Sequence, residues 1–281
     1  MRILASDGMD KSAIAALKEM GHEVVEQFYE PEELAEQVKQ YDILVVRSAT
    51  KVRKPIIDAA KETGKLKLII RGGVGVDNID VAYAEENGIH VRNTPRASSN
   101  TVAELALAHM LSVARFISIA GHTMREDKWE KKAYKGIELA GRTLGVIGYG
   151  RIGQALGAKA QALGMKVLAY DIFKAEGLEN ENMKYVEMDE LLANSDFISV
   201  HTAIVINTSR GNNVDEDALL AALESGKLRG AGLDVFAEEP AKNHALYSHP
   251  HVSCTPHIGA QTAEAQKRVG AEIVDIIKNF A

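Results

Sequence analysis

The sequence predicts an α/β protein made of two doubly wound parallel-sheet domains, one inserted into the other. Three observations predict it. Short apolar runs alternate with helix-period segments from the first residue onward, which is the pattern of βαβ units. The rhythm pauses once, at an apolar helical stretch from about Val102 and a polar connection Arg125–Glu138, then restarts at Thr143. The last helix, Ala263–Phe280, carries Val269, Ile273, Ile276, Ile277 and Phe280 on one face and is expected to pack back on the first domain. At 281 residues the chain can fill two cores.

Taken in order, strands are predicted at Arg2–Ser6, Glu23–Glu26, Ile43–Ser48, Leu66–Arg71 and His90–Asn93. Helices fall between them at Lys11–Met20, Pro31–Gln40, Pro55–Thr63 and Val81–Asn87, with Pro31 and Pro55 in first turns, where a missing N–H costs nothing. Thr101 and Glu104 spell a capping box for a single long helix running from Val102 to about Ala120. The expected boundaries are 1–97 for the first part of one domain, 98–260 for the inserted domain and 261–281 for the returning helix.

Composition narrows the classes. With 46% apolar and 26% charged residues and 6 prolines, no segment reads as disordered. A net charge of −6 without a basic stripe argues against a nucleic-acid surface. One cysteine excludes an internal disulfide framework and suits a reducing cytoplasm. The opening MRILASDG enters a strand with no charged leader, and Val102–Ala120 is too interrupted by Glu104, His109 and Arg115 to span a bilayer. A cytoplasmic protein without a membrane partner is expected.

The first motif is GYGRIG, Gly148–Gly153, after the apolar strand Leu144–Ile147. Gly148, Gly150 and Gly153 permit a tight turn, close approach of a pyrophosphate and a close helix–strand contact. A helix opening at Arg151 would aim its N–H groups at the phosphates. The next strand, Lys166–Tyr170, ends in Asp171, 18 residues past Gly153, where a carboxylate bonds ribose hydroxyls and repels a 2′-phosphate. NAD is the expected cofactor.

Three stretches then supply Arg210, Glu239 and His257: INTSRG (Ile206–Gly211), LDVFAEEP (Leu233–Pro240) and CTPHIGA (Cys254–Ala260). Arg210 follows a strand, Ile204–Asn207, and its planar fork can hold a carboxylate bidentately. His257 follows another strand, Val252–Thr255, and an imidazole can donate or accept a proton near neutral pH. Glu239 would take the proton of the other ring nitrogen, fixing the tautomer and stabilising an imidazolium. A metal reading of His244, His249, His251, Cys254 and His257 fits no closed zinc spacing, so no metal is expected. Cys254 as a nucleophile lacks a second base.

Together VIGYGRIG, INTSRG, DVFAEEP and TPHIGA resemble the D-isomer-specific 2-hydroxyacid dehydrogenases over nearly the whole chain. The resemblance implies a Rossmann NAD-binding domain inserted into a flavodoxin-like substrate domain. It implies NAD contacts at Arg151, Ile152, Asp171, Thr202, Thr208, Ser209, Arg210, Asp234 (the nicotinamide amide), His257, Gly259 and Ala260. It implies a carboxylate-binding loop at Gly72, Gly73 and Val74. VRSATKV (Val46–Val52) and RGGVGVDNID (Arg71–Asp80) look most like the D-3-phosphoglycerate dehydrogenases of serine biosynthesis, in a short form without a regulatory domain. Oxidation of 3-phosphoglycerate is then the expected activity, with Arg47 and Ser48 as candidates for the 3-phosphate. The alternatives are a glyoxylate or hydroxypyruvate reductase and a non-enzymatic NAD-sensing regulator. The family is typically dimeric, and a homodimer through Val102–Ala120 is expected.

One departure stands out. Phe197–His201 and Ile204–Asn207 read as successive parallel strands with only Thr202 and Ala203 between them. Parallel neighbours need a crossover of about a dozen residues or more, so a block of roughly 20–25 residues is missing. A true deletion would bare one face of the sheet, so a segment left out of the sequence as written is the favoured explanation. A Thr202–Ala203 Cα separation far above ~3.8 Å would show it.

Overall fold

The computed structural model describes residues 1–199 and 204–280 and divides into two compact units. Unit 1 comprises Met1–Ser98 and Ala260–Ala281, and unit 2 comprises Ser99–Gly259.

In unit 1 the order is β1 (Arg2–Ala5), α1 (Lys11–Glu19), β2 (Glu23–Glu26), α2 (Pro31–Gln37), β3 (Ile43–Val46), α3 (Lys54–Thr63), β4 (Leu68–Arg71), α4 (Val81–Glu86) and β5 (His90–Asn93). All five strands are parallel in the order β2-β1-β3-β4-β5, the flavodoxin-like arrangement. Its switch point lies between β1 and β3. The ILVV of β3 is wholly buried, as a strand covered by helices on both faces must be.

Unit 2 begins with α5 (Ser99–Arg115) and α6 (Ile117–Arg125), followed by β6 (Thr143–Ile147), α7 (Arg151–Ala162), β7 (Lys166–Tyr170), β8 (Met183–Tyr185), α8 (Met188–Asn194) and β9 (Phe197–Ser199). It continues with β10 (Ile204–Asn207), α9 (Glu216–Glu224), β11 (Gly230–Leu233), α10 (His244–Tyr247) and β12 (Val252–Cys254). The parallel sheet runs β12-β11-β10-β9-β6-β7-β8, so the chain reverses direction between β6 and β9 as in a Rossmann fold. Gly230 and Gly232 let α5 lie directly on β11. A methyl on Gly232 would sit 2.5 Å from His109 Cβ, and one on Gly230 2.4 Å from Val113 Cγ1.

The final helix, α11 (Ala263–Phe280), belongs to unit 1, where Val269, Ile273 and Ile277 share a core with Ile3, Ile14 and Leu17.

Two expectations are corrected. The predicted capping box fails because α5 starts at Ser99, which places Thr101 inside the helix with its side chain buried. The turn is held from outside instead: Lys159 Nζ of α7 donates to Asn100 Oδ1 at 2.7 Å, and Asn100 Nδ2 donates to Glu104 Oε1 at 2.7 Å. The single helix to Ala120 also breaks, at Phe116, whose φ of +58° turns the chain by 64° into α6. The Phe116 ring is seated against Tyr134 and His251, 5.9 and 5.8 Å between centroids, and under the Arg229 guanidinium. These contacts outweigh the cost of a left-handed aromatic residue.

β9 and β10 pair in parallel, Ile198 opposite Val205. Thr202 and the Thr202–Ala203 junction lie outside the described residues. Among those described, no single helix is long and apolar enough to cross a membrane.

Candidate active site

The fingerprint sits at the carboxyl end of β6, at the switch point of the unit 2 sheet. Gly148 turns the chain at φ +87° and donates its N–H to Tyr170 O at 2.8 Å. Gly153 is a close approach, because a methyl there would lie 2.5 Å from Gly148 O. At Gly150, the N-cap of α7, a methyl would meet nothing within 4 Å, which leaves open space over the first turn for a phosphate group. Arg151 is exposed beside that space, and Ile152 packs on the core. Asp171 follows β7, and its Oδ1 accepts from Phe173 N at 3.0 Å. The glycine backbone, the helix N-terminus and the strand-end carboxylate fit a dinucleotide.

The other cluster occupies the carboxyl ends of β10, β11 and β12, three adjacent strands. At the end of β10, Asn207 is buried and organises the turn beyond it. Its Oδ1 accepts from Ser209 N (3.1 Å) and Ser209 Oγ (2.8 Å), and its Nδ2 donates to Arg210 O (2.9 Å). Thr208 is half-buried, whereas Ser209 and Arg210 are exposed. Gly211 packs so closely on the segment after β11 that a methyl would fall 1.9 Å from Phe236 O.

From Phe236 the contacts lead straight to the histidine. Phe236 N donates to Glu239 Oε1 at 3.3 Å, and Glu239 Oε2 lies 2.7 Å from His257 Nδ1. An ionised carboxylate only accepts, so Nδ1 carries the proton and Nε2 is the nitrogen left to act. Both side chains are about 40% exposed, so the pair is open to a ligand. His257 itself is left-handed, at φ +54°, and its N–H is held by Asp234 O at 2.8 Å. An apolar pocket of about 460 Å³, lined by Phe236, Pro240, Tyr247 and Pro256 among others, adjoins the pair.

Asp234 is buried, and its carboxylate grips the loop that bears His257. It accepts from Thr255 Oγ1 (2.6 Å), Ile258 N (2.8 Å) and Gly259 N (2.9 Å). Thr255 and Ser253 in turn meet the two ring nitrogens of His109, each at 3.0 Å. Thr255, Ser253 and His109 are not among the site residues expected from the sequence. The available signal was the alternation Ser253-x-Thr255, which puts both hydroxyls on one face of a strand, and a histidine on the buried face of an apolar helix. Cys254 points the other way, and burial pushes its thiol up, away from the reactive thiolate. Among the described residues no group of three or more His, Cys, Asp or Glu could hold a metal ion.

In unit 1 the predicted substrate residues lie at the ends of β3 and β4. Arg71 tucks its guanidinium under the Gly72–Val74 loop, where a methyl on Gly73 would sit 1.4 Å from Nη1. Asn93 Nδ2 donates to Val74 O at 2.5 Å. Arg47 lies at the switch point, its stem against Gly72: Cγ is 3.5 Å from where a Gly72 Cβ would be. Asp7 accepts from the N–H groups of Arg47 (2.6 Å) and Thr50 (3.0 Å), so the protein itself uses those amides. Arg47 is half-buried and Ser48 is exposed.

The model of the D-isomer specific 2-hydroxyacid dehydrogenase catalytic domain matches residues 3–281. The chain belongs to this family. Nicotinamide nucleotides serve these dehydrogenases as cofactor. The hydroxypyruvate reductase of Thermotoga maritima is 46% identical, covering 98% of this chain and 97% of that protein. The D-3-phosphoglycerate dehydrogenase of Methanocaldococcus jannaschii is 44% identical over 99% of the chain, and the chain spans 57% of its length. Both alignments run to 301 positions against 281 residues here, so these relatives carry residues with no counterpart in the dehydrogenase. Among solved structures, an NAD-dependent formate dehydrogenase from Staphylococcus aureus in complex with NAD superposes with a TM-score of 0.85 at 28% identity, covering 100% of this chain and 95% of that one.

Proposed function

We propose that the dehydrogenase interconverts a D-2-hydroxy acid and its 2-keto acid with NAD, and that its substrate is 3-phosphoglycerate. The observation that carries the reaction is the 2.7 Å Glu239–His257 pair on the strand-end edge that also bears Arg210. A nicotinamide nucleotide held by the Gly148–Gly153 turn and Asp171 would supply hydride transfer at C2 of the acid. His257 Nε2 takes the proton of the 2-hydroxyl on oxidation and returns it to the keto oxygen on reduction. Glu239 stabilises the imidazolium formed in between. Arg210 holds the substrate carboxylate. Asp171 favours NAD, since a 2′-phosphate beside it would be repelled.

The choice of 3-phosphoglycerate rests on Arg47, placed at a switch point and against Gly72. A charged hydrogen bond is worth about 1.5–3 kcal/mol, so Arg47→Ala is expected to lower kcat/KM for phosphohydroxypyruvate relative to hydroxypyruvate by about 10- to 100-fold. NADH consumption with each substrate measures the ratio, and a ratio unchanged from wild type would remove the phosphate assignment. The second reading is a hydroxypyruvate or glyoxylate reductase. It is favoured by the Thermotoga relative, which this chain matches almost end to end. Wild-type preference for the unphosphorylated acids would establish that reading. No turnover of any 2-keto acid would leave a non-enzymatic NAD sensor.

A cytoplasmic homodimer joined through the 102–120 region belongs to the same proposal. Leu111 and Ile117, 37% and 58% exposed, are apolar residues there that a partner would cover. A monomer in sedimentation at micromolar concentration would refute it.

A further inference from the structure

We infer that His109 is a positioning residue for the loop that carries His257, acting through a directed chain of hydrogen bonds to Asp234. The inference rests on the dehydrogenase reading above and extends it to residues remote from the reacting atoms.

The direction of each bond follows from what each group can do. The Asp234 carboxylate only accepts, so the Thr255 hydroxyl spends its one proton on it, at 2.6 Å. Thr255 Oγ1 must then accept from His109, and the proton on Nε2 lies on that bond, at 3.0 Å. A neutral ring carrying Nε2–H has a bare Nδ1, which accepts from the Ser253 hydroxyl at 3.0 Å. Burial holds the His109 pKa below its ordinary value, while the nearby charge of Asp234 opposes that shift. The ring is therefore neutral and in one tautomer.

Its seat is equally determined. His109 is 3% exposed, and the missing side chain of Gly232 is what lets its Cβ approach β11. Ala106, Met110 and Val113 bury the same helix without it, so α5 does not depend on the imidazole for packing. What the imidazole alone supplies is a donor that keeps the Thr255 hydroxyl turned toward Asp234. Asp234 then holds Ile258 and Gly259 by their N–H groups, and its carbonyl holds His257 N–H. A left-handed non-glycine conformation is strained, so His257 needs such restraint to stay where Glu239 can meet it.

The test uses His109→Leu, His109→Gln, Thr255→Val and the Leu/Val double variant of the full chain. His109→Leu and Thr255→Val should each lower kcat about tenfold, with the KM of the keto acid within about twofold of wild type. The double variant should be no slower than either single one, because the bonds act in series. His109→Gln, whose amide can still donate to Thr255, should recover most of kcat. Independently of activity, the amides of Ile258 and Gly259 should exchange faster with solvent in both single variants. Nitrogen NMR of wild type at neutral pH should show His109 neutral with Nε2 protonated. Unchanged amide exchange, additive losses, or an Nδ1–H tautomer would each overturn the inference. If wild type turned over no keto acid, the dehydrogenase reading would fall, while exchange and tautomer would still decide the relay.

Discussion

His257→Asn is expected to lower kcat for 2-keto acid reduction by about 10³-fold, within the 10²–10⁴ span of general acid–base catalysis. Asparagine is the informative replacement. Position 257 has φ +54°, a conformation asparagine tolerates better than other polar residues, so the loop on Asp234 survives the change. What is lost is the Nε2 proton and the 2.7 Å partner of Glu239. Glu239→Gln should cost less, about 10- to 100-fold, since the ring remains but its orientation and tautomer are no longer imposed. Stopped-flow hydride transfer with melting temperatures for both variants separates chemistry from unfolding. A His257→Asn enzyme within tenfold of wild type would assign the proton to another group.

Gly211→Ala is expected to reduce kcat/KM by about 100-fold, although residue 211 carries no functional group. The added methyl would lie 1.9 Å from Phe236 O and 2.0 Å from Phe236 C, distances that no rotamer can relieve because both atoms are backbone. Either the 207–211 turn lifts, taking Arg210 with it, or the Phe236–Glu239 segment moves and pulls the carboxylate from His257. The variant should also melt several degrees lower, as strain of this kind costs roughly 1–3 kcal/mol. A Gly211→Ala enzyme with wild-type KM and kcat would show that the two segments are not coupled.

Much of the fold could be read residue by residue. Strands such as Glu23–Glu26 and Ile204–Asn207 appear with the predicted ends, because a run of apolar residues bounded by polar ones is a local signal. Arg210, Glu239 and His257 were legible as candidates for a similar reason: each follows a strand in a short motif. The start of α5 was misread because Thr101-x-x-Glu104 is a valid local cap, whereas the actual stabilisation of that turn comes from Lys159, 59 residues away from Asn100. The break at Phe116 likewise depends on Tyr134, Arg229 and His251.

The family, the nicotinamide cofactor and the order of the candidate site residues are thus legible in the chain alone, since these are written in residue types at fixed spacings. How the parts are held is visible in the folded molecule alone. It shows Gly211 pressed on Phe236, His257 turned into a left-handed conformation, and His109 linked through Thr255 to Asp234. The reason is physical. A strand end is specified by its neighbours in sequence, but a hydrogen bond from α5 to the end of β12 joins residues 146 apart, and nothing local records it.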